Sequence, residues 1–422
     1  MGSKQITNPL PQRYLTDDPG VGGRIKVRPE DFLVDELPLY EPEGKGEHLY
    51  LGIQKTNVAH GELMSCLRRH FNVRETAIGF AGMKDKLGIT RQTVSILIPN
   101  DPPTVDLDHQ RIQVLWSKRH RNKIRLGHLA GNRFSIRIRD VDPLKAPLAL
   151  RTLRKLEANG VPNYFGAQRF GYRRNNHIVG AALLNDDWQS MLANLLGTAG
   201  GPFPPYQAQR RELFDAGRYA EAAELWTAAD RSERIACSRL AQGKRPRDAC
   251  LAVGNTAVSF WISALQSAIF NRILDRRLEQ GTLATLIEGD LAWKHATRGM
   301  FPVTAQELAS GELAPRIASM EISPSGPIWG KGMMQAQGPV AQAELEALEA
   351  AGMTLEAFTA DDDSPEGTRR PLRCQLKNPA IDSGIDEFGQ YIRVAFDLPR
   401  GAYATIVLRE LMKTDQAELD DA

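Results

Sequence analysis

The sequence contains no long apolar segment. None of its hydrophobic runs approaches the ~20 residues that a membrane-spanning helix requires. The opening residues 1–8 also lack the apolar core of a secretory signal. A transmembrane or secreted protein is therefore not expected, and we predict a cytoplasmic location.

Cysteine is scarce, and the usual metal-binding and phosphate-binding patterns are missing. The glycine-rich segment 326–332 lacks the spacing of a P-loop, and His60 and His70 do not form a His-Glu-x-x-His motif. The acidic run 361–363 lacks the alternating ligands of a calcium loop. These absences argue against a structural zinc site, a P-loop and a calcium loop. The four cysteines form no Cys-x-x-Cys pair and are expected to be free thiols: Cys66, Cys237, Cys250 and Cys374.

The sequence has little excess of charge of either sign. The formal net charge is only +2, so a nucleic-acid partner would have to be attracted by a local basic surface rather than by the whole molecule. The remaining composition, 42% hydrophobic and 25% charged residues, is ordinary for a globular protein. A length of 422 residues indicates two domains.

Strand patterns occupy both ends of the sequence, and the middle is mainly helical. The clearest alternation, in residues 132–139, places Phe134, Ile136 and Ile138 on one face and arginines on the other, which predicts a half-buried strand with a basic outer face. Strands mixed with helices, without regular βαβ alternation, indicate an α+β fold. Further strands are predicted at 32–36, 48–55, 91–98, 111–116, 391–396 and 405–408, helices at 58–71, 257–280 and 340–358, and a polar linker at 360–368.

The first candidate for chemistry is Asp85, which lies between Lys84 and Lys86 in a segment bounded by Gly82 and Gly88. Glycines permit sharp loops that approach a ligand closely. A carboxylate between two cations is expected to stay ionised, as nucleophilic or base catalysis requires. By composition alone, however, a Lys-Asp-Lys run is more often a solvated turn.

Two basic segments are candidates for binding RNA. Residues 116–128 have a density of cations that suits phosphate contacts, although a charged surface loop would look the same. In residues 160–174, arginines alternate with aromatic residues, as they do where bases stack, although a packed turn would also use those aromatics. The candidate RNA-binding residues are Lys118, Arg119, Arg121, Lys123, Arg125, Arg169, Arg173 and Arg174.

Six motifs in matching order resemble the TruD family of tRNA pseudouridine synthases. One such motif would be weak support, but six in order over most of the sequence make coincidence implausible. They are Lys26-Val-Arg-Pro-Glu-Asp-Phe32, Phe80-Ala-Gly-Met-Lys-Asp85, Gly131-Asn-Arg-Phe134, Gly160-Val-Pro-Asn-Tyr-Phe-Gly-Ala-Gln-Arg-Phe-Gly171, Phe270-Asn-Arg-Ile-Leu274, and Leu398-Pro-Arg-Gly-Ala-Tyr-Ala-Thr405 with Arg409-Glu-Leu411.

The resemblance implies two domains. A catalytic α+β domain with an antiparallel-rich mixed sheet would be formed from both chain ends, at residues 1–154 and 361–422. A family-specific inserted α/β domain, rich in helix, would occupy residues 155–360. Extra length near residues 188–250 carries no recognisable motif and would be either an RNA-contacting addition or a structural elaboration.

The resemblance also implies a reaction and a set of site residues. The family isomerises a uridine in RNA to pseudouridine without cofactor or metal, and the base must leave its stack to be reached. Asp85 would be the essential carboxylate, which either attacks the ribose or removes a sugar proton. Lys26 matches its basic partner, Phe134 the aromatic that stacks on the target base, and Asn132 a polar residue that orders the site. Phe32 would pack beside the same pocket or belong to the core.

The expected partner is tRNA, with uridine 13 as the target, because bacterial members of the family act there. Relatives elsewhere modify broader sets of RNA. A monomer is expected. Two other functions stay open at this point: a non-catalytic RNA-binding protein on the same scaffold, and a small-molecule hydrolase with Asp85 as its nucleophile.

Overall fold

The computed structural model describes residues 6–360 and 364–414 and divides into two compact units. The sheet unit comprises Leu15–Val161 and Cys374–Ala422, and the helical unit comprises Met1–Tyr14 and Pro162–Arg373. These bounds differ from the expected domain limits at both ends of the insertion.

The segment before residue 15, expected in the catalytic domain, instead groups with the helical unit. The reason is its main-chain hydrogen bonding: the amides of Gln12 and Arg13 donate to Asp275 Oδ1 at 2.9 and 3.2 Å. Asn271 Nδ2 donates to the carbonyl of Pro9 at 2.9 Å. These groups would be left unsatisfied if the segment moved away.

The first part of the sheet unit alternates short helices with longer strands, much as the periodicity predicts. Its elements are β1 (Phe32–Pro38), β2 (His48–Thr56), α1 (His60–Phe71), β3 (Ile78–Phe80), β4 (Ile89–Leu97), β5 (Ile112–His120), β6 (Leu129–Arg139) and α2 (Ala146–Asn159).

The middle of the chain is mainly helical, and a small antiparallel sheet follows its longest helix. The elements are β7 (Val161–Pro162), α3 (Asn176–Leu184), α4 (Trp188–Leu196), α5 (Ala208–Asp215), α6 (Tyr219–Leu225), α7 (Arg231–Ala241), α8 (Pro246–Leu251), α9 (Asn255–Glu279), β8 (Leu291–Lys294), β9 (Met300–Pro302), α10 (Ala305–Ser310), α11 (Leu313–Ala318), β10 (Ile322–Ile328), α12 (Gly338–Ala350) and β11 (Thr368–Pro371).

The chain then returns to the sheet unit through β12 (Arg373–Cys374), β13 (Lys377–Asp386), β14 (Gly389–Pro399) and α13 (Ala404–Met412). The large sheet has the strand order β13-β14-β6-β1-β4-β2-β5, and β3 also pairs with β4. The pairing of β1 with β4 is parallel, whereas the other neighbours are antiparallel. The predicted α+β fold with an antiparallel-rich mixed sheet is therefore confirmed.

A hydrophobic core lies between one face of this sheet and α1. Leu51 and Ile53 of β2, Val94 of β4, and Leu63 and Leu67 of α1 are all fully buried there. Alternate residues of a strand point to opposite faces, so this core accounts for the apolar alternation in β2.

The predicted strand at 405–408 is wrong, because these residues belong to helix α13. Ile406, Val407 and Leu408 are β-branched or apolar, which favours strand in isolation, but all three consecutive side chains are buried. The helix packs against α2. A helix buried on several sides shows no polar alternation, so tertiary packing decided this element.

The outer face of β6 is less basic than its sequence predicts. Arg133 is ion-paired with Asp397 at 2.8 Å. Arg139 is buried, and it pairs with Asp31 and Asp386, each at 2.6 Å. The arginines of this strand therefore serve mainly to join β6 to its neighbours.

The helical unit contains the predicted long helix, α9, in which Trp261, Leu265 and Ile269 are buried. Residues 188–250 form α4 to α8, whose apolar side chains share a core with α3 and α9. This packing supports a structural elaboration, and contact of this segment with RNA stays a prediction. The predicted helix at 340–358 is α12 followed by a short 3₁₀ turn, Glu356–Phe358. Residues 361–363 of the predicted linker lie outside the described residues.

Two further sequence predictions concern cysteine and membranes. All four cysteines are buried free thiols, as predicted. In residues 6–360 and 364–414, no helix is long and apolar enough to cross a bilayer, and no cluster of three or more His, Cys, Asp or Glu side chains is placed to hold a metal ion.

Candidate active site

One face of the large sheet carries a row of side chains from five neighbouring strands. Phe134 lies opposite both Phe396 and Val34, Val34 lies opposite Thr90, and Thr90 lies opposite Lys55. Residues paired across strands project from the same face. The register therefore places Phe134 and Lys55 in one row, with β1 and β4 between them.

The loop that contains Asp85 connects β3 to β4. Its main chain is held at both ends: Ala81 O accepts a hydrogen bond from Gly127 N at 2.7 Å, and Gly88 N donates to Asn57 Oδ1 at 2.9 Å. The Asp85 side chain itself is exposed, and no hydrogen bond or ion pair joins its carboxylate to another described residue. An anchored loop thus presents an unpaired carboxylate to solvent.

Gly88 closes this loop in a conformation that other residues rarely adopt. Its φ is +103°, and a Cβ atom there would lie 2.4 Å from the carbonyl oxygen of Phe32. Only glycine allows this close approach without a shift of the backbone. Phe32 is buried at the start of β1, so the end of the Asp85 loop packs directly onto it.

An ion pair ties the residue before Asp85 to the sheet. Lys84 Nζ lies 2.8 Å from Glu36 Oε2, and the two side chains are only 5% and 3% exposed. Glu36 Oε1 also accepts a hydrogen bond from Thr93 N at 3.2 Å. The flanking lysine is therefore a buried anchor rather than part of a solvated turn.

A second buried lysine, Lys55 of β2, also anchors the loop that contains Asp85. Lys55 is 1% exposed, and its Nζ donates to the main-chain oxygens of Asp85 at 2.6 Å and Lys84 at 3.3 Å. Burial lowers the pKa of Lys55 to about 8, and the negative charge of Asp85 acts in the opposite direction.

Lys26 and Phe32 lie together. Lys26 adopts a positive φ of 55° and its Nζ lies 5.3 Å from the centre of the Phe32 ring. Within the described residues Lys26 forms no ion pair with Asp85, so the charge pair that the family resemblance implies stays a prediction.

Asn132 and Phe134 follow one another on the same face of β6. Phe134 is 8% exposed and packs against Phe396, with ring centres 5.5 Å apart. Asn132 pairs with Glu36 across β1, and its buried Oδ1 has no hydrogen-bond partner among the described residues. Thr90 and Gln92 on β4 also have unpartnered buried polar atoms. Such atoms are unusual unless water or a ligand satisfies them.

The basic segment 116–128 extends from β5 into a loop. Arg121 and Arg125 are exposed, and Arg121 also pairs with Glu43 at 3.2 Å. Lys118 is exposed and lines a cavity of about 430 Å³ with Tyr40 and Trp116. Two of the predicted cations are partly engaged elsewhere: Arg119 Nε donates to Asp101 at 3.0 Å, and Lys123 Nζ donates to Thr76 O at 2.6 Å.

The second basic segment is mixed in character. Arg173 is only 4% exposed, and its guanidinium donates to the carbonyls of Asn194 and Gly201 at 2.6 and 3.1 Å. Burial lowers its pKa to about 10. Arg169 is half-buried over the Phe165 ring at 5.4 Å, and Arg174 is half-buried with a positive φ of 53°. Arg173 therefore has a structural position inside the helical unit.

Two residues of this site were missed by sequence reasoning, Glu36 and Lys55. A signal for Lys55 was present: it occupies the inward-facing position that follows Leu49, Leu51 and Ile53 in β2, where another apolar residue is expected. No local pattern marks Glu36, because its partner Lys84 is distant in sequence.

Comparisons with known proteins match nearly the whole chain. The family model "TruD: tRNA pseudouridine synthase D (TruD)" matches residues 11–411. The chain is 43% identical over 406 residues to the tRNA pseudouridine synthase D of Geobacter sulfurreducens, covering 95% of this chain and 97% of that protein. It is 39% identical over 409 residues to the protein of the same name from Syntrophotalea carbinolica, with coverage of 95% and 99%.

The fold leads to the same family. A crystal structure assigned to tRNA pseudouridine synthase D (TruD) of Methanosarcina mazei aligns with a TM-score of 0.81 and 27% identity, covering 99% of this chain and 98% of that one. The family match and the structural similarity together identify the protein as a pseudouridine synthase, which is an isomerase. Within that class the chain belongs to the tRNA pseudouridine synthase D (TruD) family.

Proposed function

We propose that the protein converts uridine 13 of tRNA to pseudouridine, with Asp85 as the acting carboxylate and without metal or cofactor. The observation that carries this proposal is the unpaired, exposed carboxylate of Asp85 on a loop anchored by Lys55 and by the Lys84–Glu36 ion pair. A pre-positioned group loses less freedom in the transition state, which is how a single carboxylate can be effective.

The reaction rearranges bonds within the substrate, and every bond and proton is accounted for there. The N1–C1′ bond breaks, the base turns, and C5 bonds to C1′. The proton that leaves C5 is replaced by one gained at N1, so no oxidant or reductant is needed. Asp85 either bonds to the ribose as the base departs or removes a sugar proton, and an ionised carboxylate suits both routes.

The target base must leave its stack before it can react, and the site offers an aromatic platform for it. Phe134 lies in the row that ends at Lys55. On the same face the buried Oδ1 of Asn132 has no hydrogen-bond partner among the described residues, and a base that entered the site would supply one. Phenylalanine carries no phenolic proton, so its role would be stacking alone.

The proposed RNA surface of the sheet unit is the exposed part of segment 116–128. Lys118, Arg121 and Arg125 are exposed to solvent, as phosphate contacts require. We leave Arg173 out of this proposal because its guanidinium is buried and bonded to carbonyl groups. A monomeric state and a cytoplasmic location stay predictions.

The test is a pseudouridine map of an unmodified tRNA transcript after incubation with wild-type protein, Asp85→Asn and the control Asp17→Asn. Asp17 is an exposed carboxylate outside the loop. We expect pseudouridine at position 13 with the wild type and the control, and none with Asp85→Asn, although that variant still binds tRNA. Activity that survives in Asp85→Asn would overturn the assigned role, and modification at another position would overturn the assigned target.

A further inference from the structure

Lys55 uses all of its hydrogen-bonding capacity on main-chain carbonyl groups. Its Nζ donates to Val58 O at 2.7 Å, to Asp85 O at 2.6 Å and to Lys84 O at 3.3 Å. An ammonium group has three N–H donors and no acceptor, so this set is complete. Two of the three acceptors belong to consecutive residues, one of which carries the carboxylate.

The fold alone does not require a lysine at this position. The preceding inward-facing residues of β2, Leu51 and Ile53, are fully buried apolar side chains that pack under α1. An ammonium without a directly bonded carboxylate is expensive to bury, even when carbonyl dipoles compensate part of the cost. A buried cation in an apolar row therefore indicates a purpose other than packing.

We propose that Lys55 is a positioning residue for pseudouridine formation, whose ammonium clamps the main chain at Lys84 and Asp85 so that the Asp85 carboxylate stays free and correctly aimed. This inference rests on the proposed role of Asp85. The clamp acts on the main chain rather than on the side chain, so it orients the carboxylate without forming an ion pair that the substrate would have to break.

The clamp depends on the protonated form of Lys55. The charged or titratable groups that face it are Asp85 and Lys84 of the loop, and Glu62 and His60 of α1. Burial outweighs the attraction of the two carboxylates and lowers the pKa of Lys55 to about 8. A neutral amine has only two donors and a lone pair, so one of the three carbonyl groups would then face a lone pair.

The consequence is a rate that falls as the pH rises through about 8. An ordinary lysine, with a pKa of ~10.4, would stay protonated over this range. Because burial penalises the charged form, loss of the proton does not itself destabilise the fold. The decline should therefore appear in kcat, with no loss of thermal stability and little change in tRNA affinity.

The experiment compares wild type, Lys55→Met, Lys55→Arg and the control Ile53→Met for kcat, KM, tRNA affinity and thermal unfolding between pH 6.5 and 9.5. Ile53 is a fully buried neighbour on the same strand face, and its replacement by methionine conserves volume. We expect Lys55→Met to lower kcat by roughly 100-fold, the scale of a small misplacement of a reacting group, with KM within a few fold of wild type.

The pH profile separates positioning from simple structural support. Wild type and Ile53→Met should lose activity above pH 8, whereas Lys55→Arg, whose guanidinium stays protonated, should keep a flat profile at whatever rate it retains. The shape of the profile decides the outcome even if Lys55→Met folds poorly. An unchanged alkaline decline in Lys55→Arg, or a wild-type rate that stays constant to pH 9.5, would overturn the clamp. If Asp85→Asn is inactive in the same assays, the proposed function stands regardless of that result.

Discussion

Glu36 Oε2 lies 2.8 Å from Lys84 Nζ in an ion pair that joins β1 to the residue beside Asp85. Both side chains are almost completely buried, so neither charge can be left alone at low cost. A buried pair of this kind adds little net stability compared with apolar residues, but breaking it by removing one partner is strongly destabilising. Its value here is the fixed position that it gives to the loop.

The first prediction follows from that pair. Glu36→Gln should lower the free energy of unfolding by ~3–5 kcal/mol, because the Lys84 ammonium loses its countercharge in a buried site. Lys84→Met should also destabilise, and the double variant should lose less than the sum of the two, with a coupling of about 0.5–3 kcal/mol. Urea unfolding at pH 7 measures all three; additive losses would mean that the two side chains do not interact.

The second prediction concerns the basic loop. Arg121→Ala with Arg125→Ala should weaken tRNA binding and reduce the slope of log affinity against log salt by about 0.7–0.9 for each phosphate that the protein no longer neutralises. Arg154→Ala is the matched control, because Arg154 is also an exposed arginine paired with a carboxylate, Glu157, but lies on α2. Binding titrations at several salt concentrations check this, and an unchanged slope in the double variant would place the loop away from the RNA.

The third prediction contrasts two ion pairs of the large sheet. Arg139→Ala should destabilise the protein by ~3–5 kcal/mol, because Asp31 would remain buried without a cation. Arg393→Ala removes an exposed pair with Asp382 and should cost less than about 1 kcal/mol. Guanidinium unfolding of the two variants side by side provides the measurement; similar losses would show that burial does not govern these pairs.

The fourth prediction is a pH dependence of the helical unit. His177 is buried, its Nε2 lies 2.7 Å from Ile6 O, and burial lowers its pKa to about 4. In the unfolded chain His177 binds a proton near pH 6.5, whereas in the folded chain it stays neutral down to about pH 4. The stability that neutral His177 contributes is therefore present above pH 6.5 and is lost as the pH falls towards 4.

Replacing His177 with glutamine isolates this contribution from the buried carboxyl groups. Burial raises the pKa of Asp275, Glu233 and Glu344, which favours the folded state at low pH and opposes the histidine. Between pH 6.5 and 4 the wild type should lose up to about 3 kcal/mol more than His177→Gln. Thermal or urea unfolding across that range measures the difference, and parallel curves for the two proteins would refute the assignment.

Much of the secondary structure could be predicted because it depends on local periodicity. The alternation in β2 and β6 and the stripe of α9 each reflect which side of a single element is buried. The prediction for Thr405 to Leu408 was wrong for the same reason: α13 is buried on several sides, so its apolar residues carry no helical period.

The candidate-site residues likewise divide into those that local sequence motifs identify and those whose position only the fold shows. Asp85, Asn132 and Phe134 are identified by motifs whose residues are adjacent in sequence, and Lys26 and Phe32 share one motif and do lie together. The burial of Arg173 could not be predicted, because a run of arginines and aromatics does not reveal which guanidinium points inward.

By itself, the sequence determined the α+β class, the TruD resemblance and Asp85 as the candidate catalytic carboxylate. Only the tertiary structure decided how that loop is held, because Lys55 and Glu36 meet it through strand pairings distant in sequence. Burial is a property of the folded chain: it turns Lys84, which the sequence shows as an ordinary surface charge, and Lys55, which the sequence marks only as a break in an apolar row, into anchors of the loop that carries Asp85.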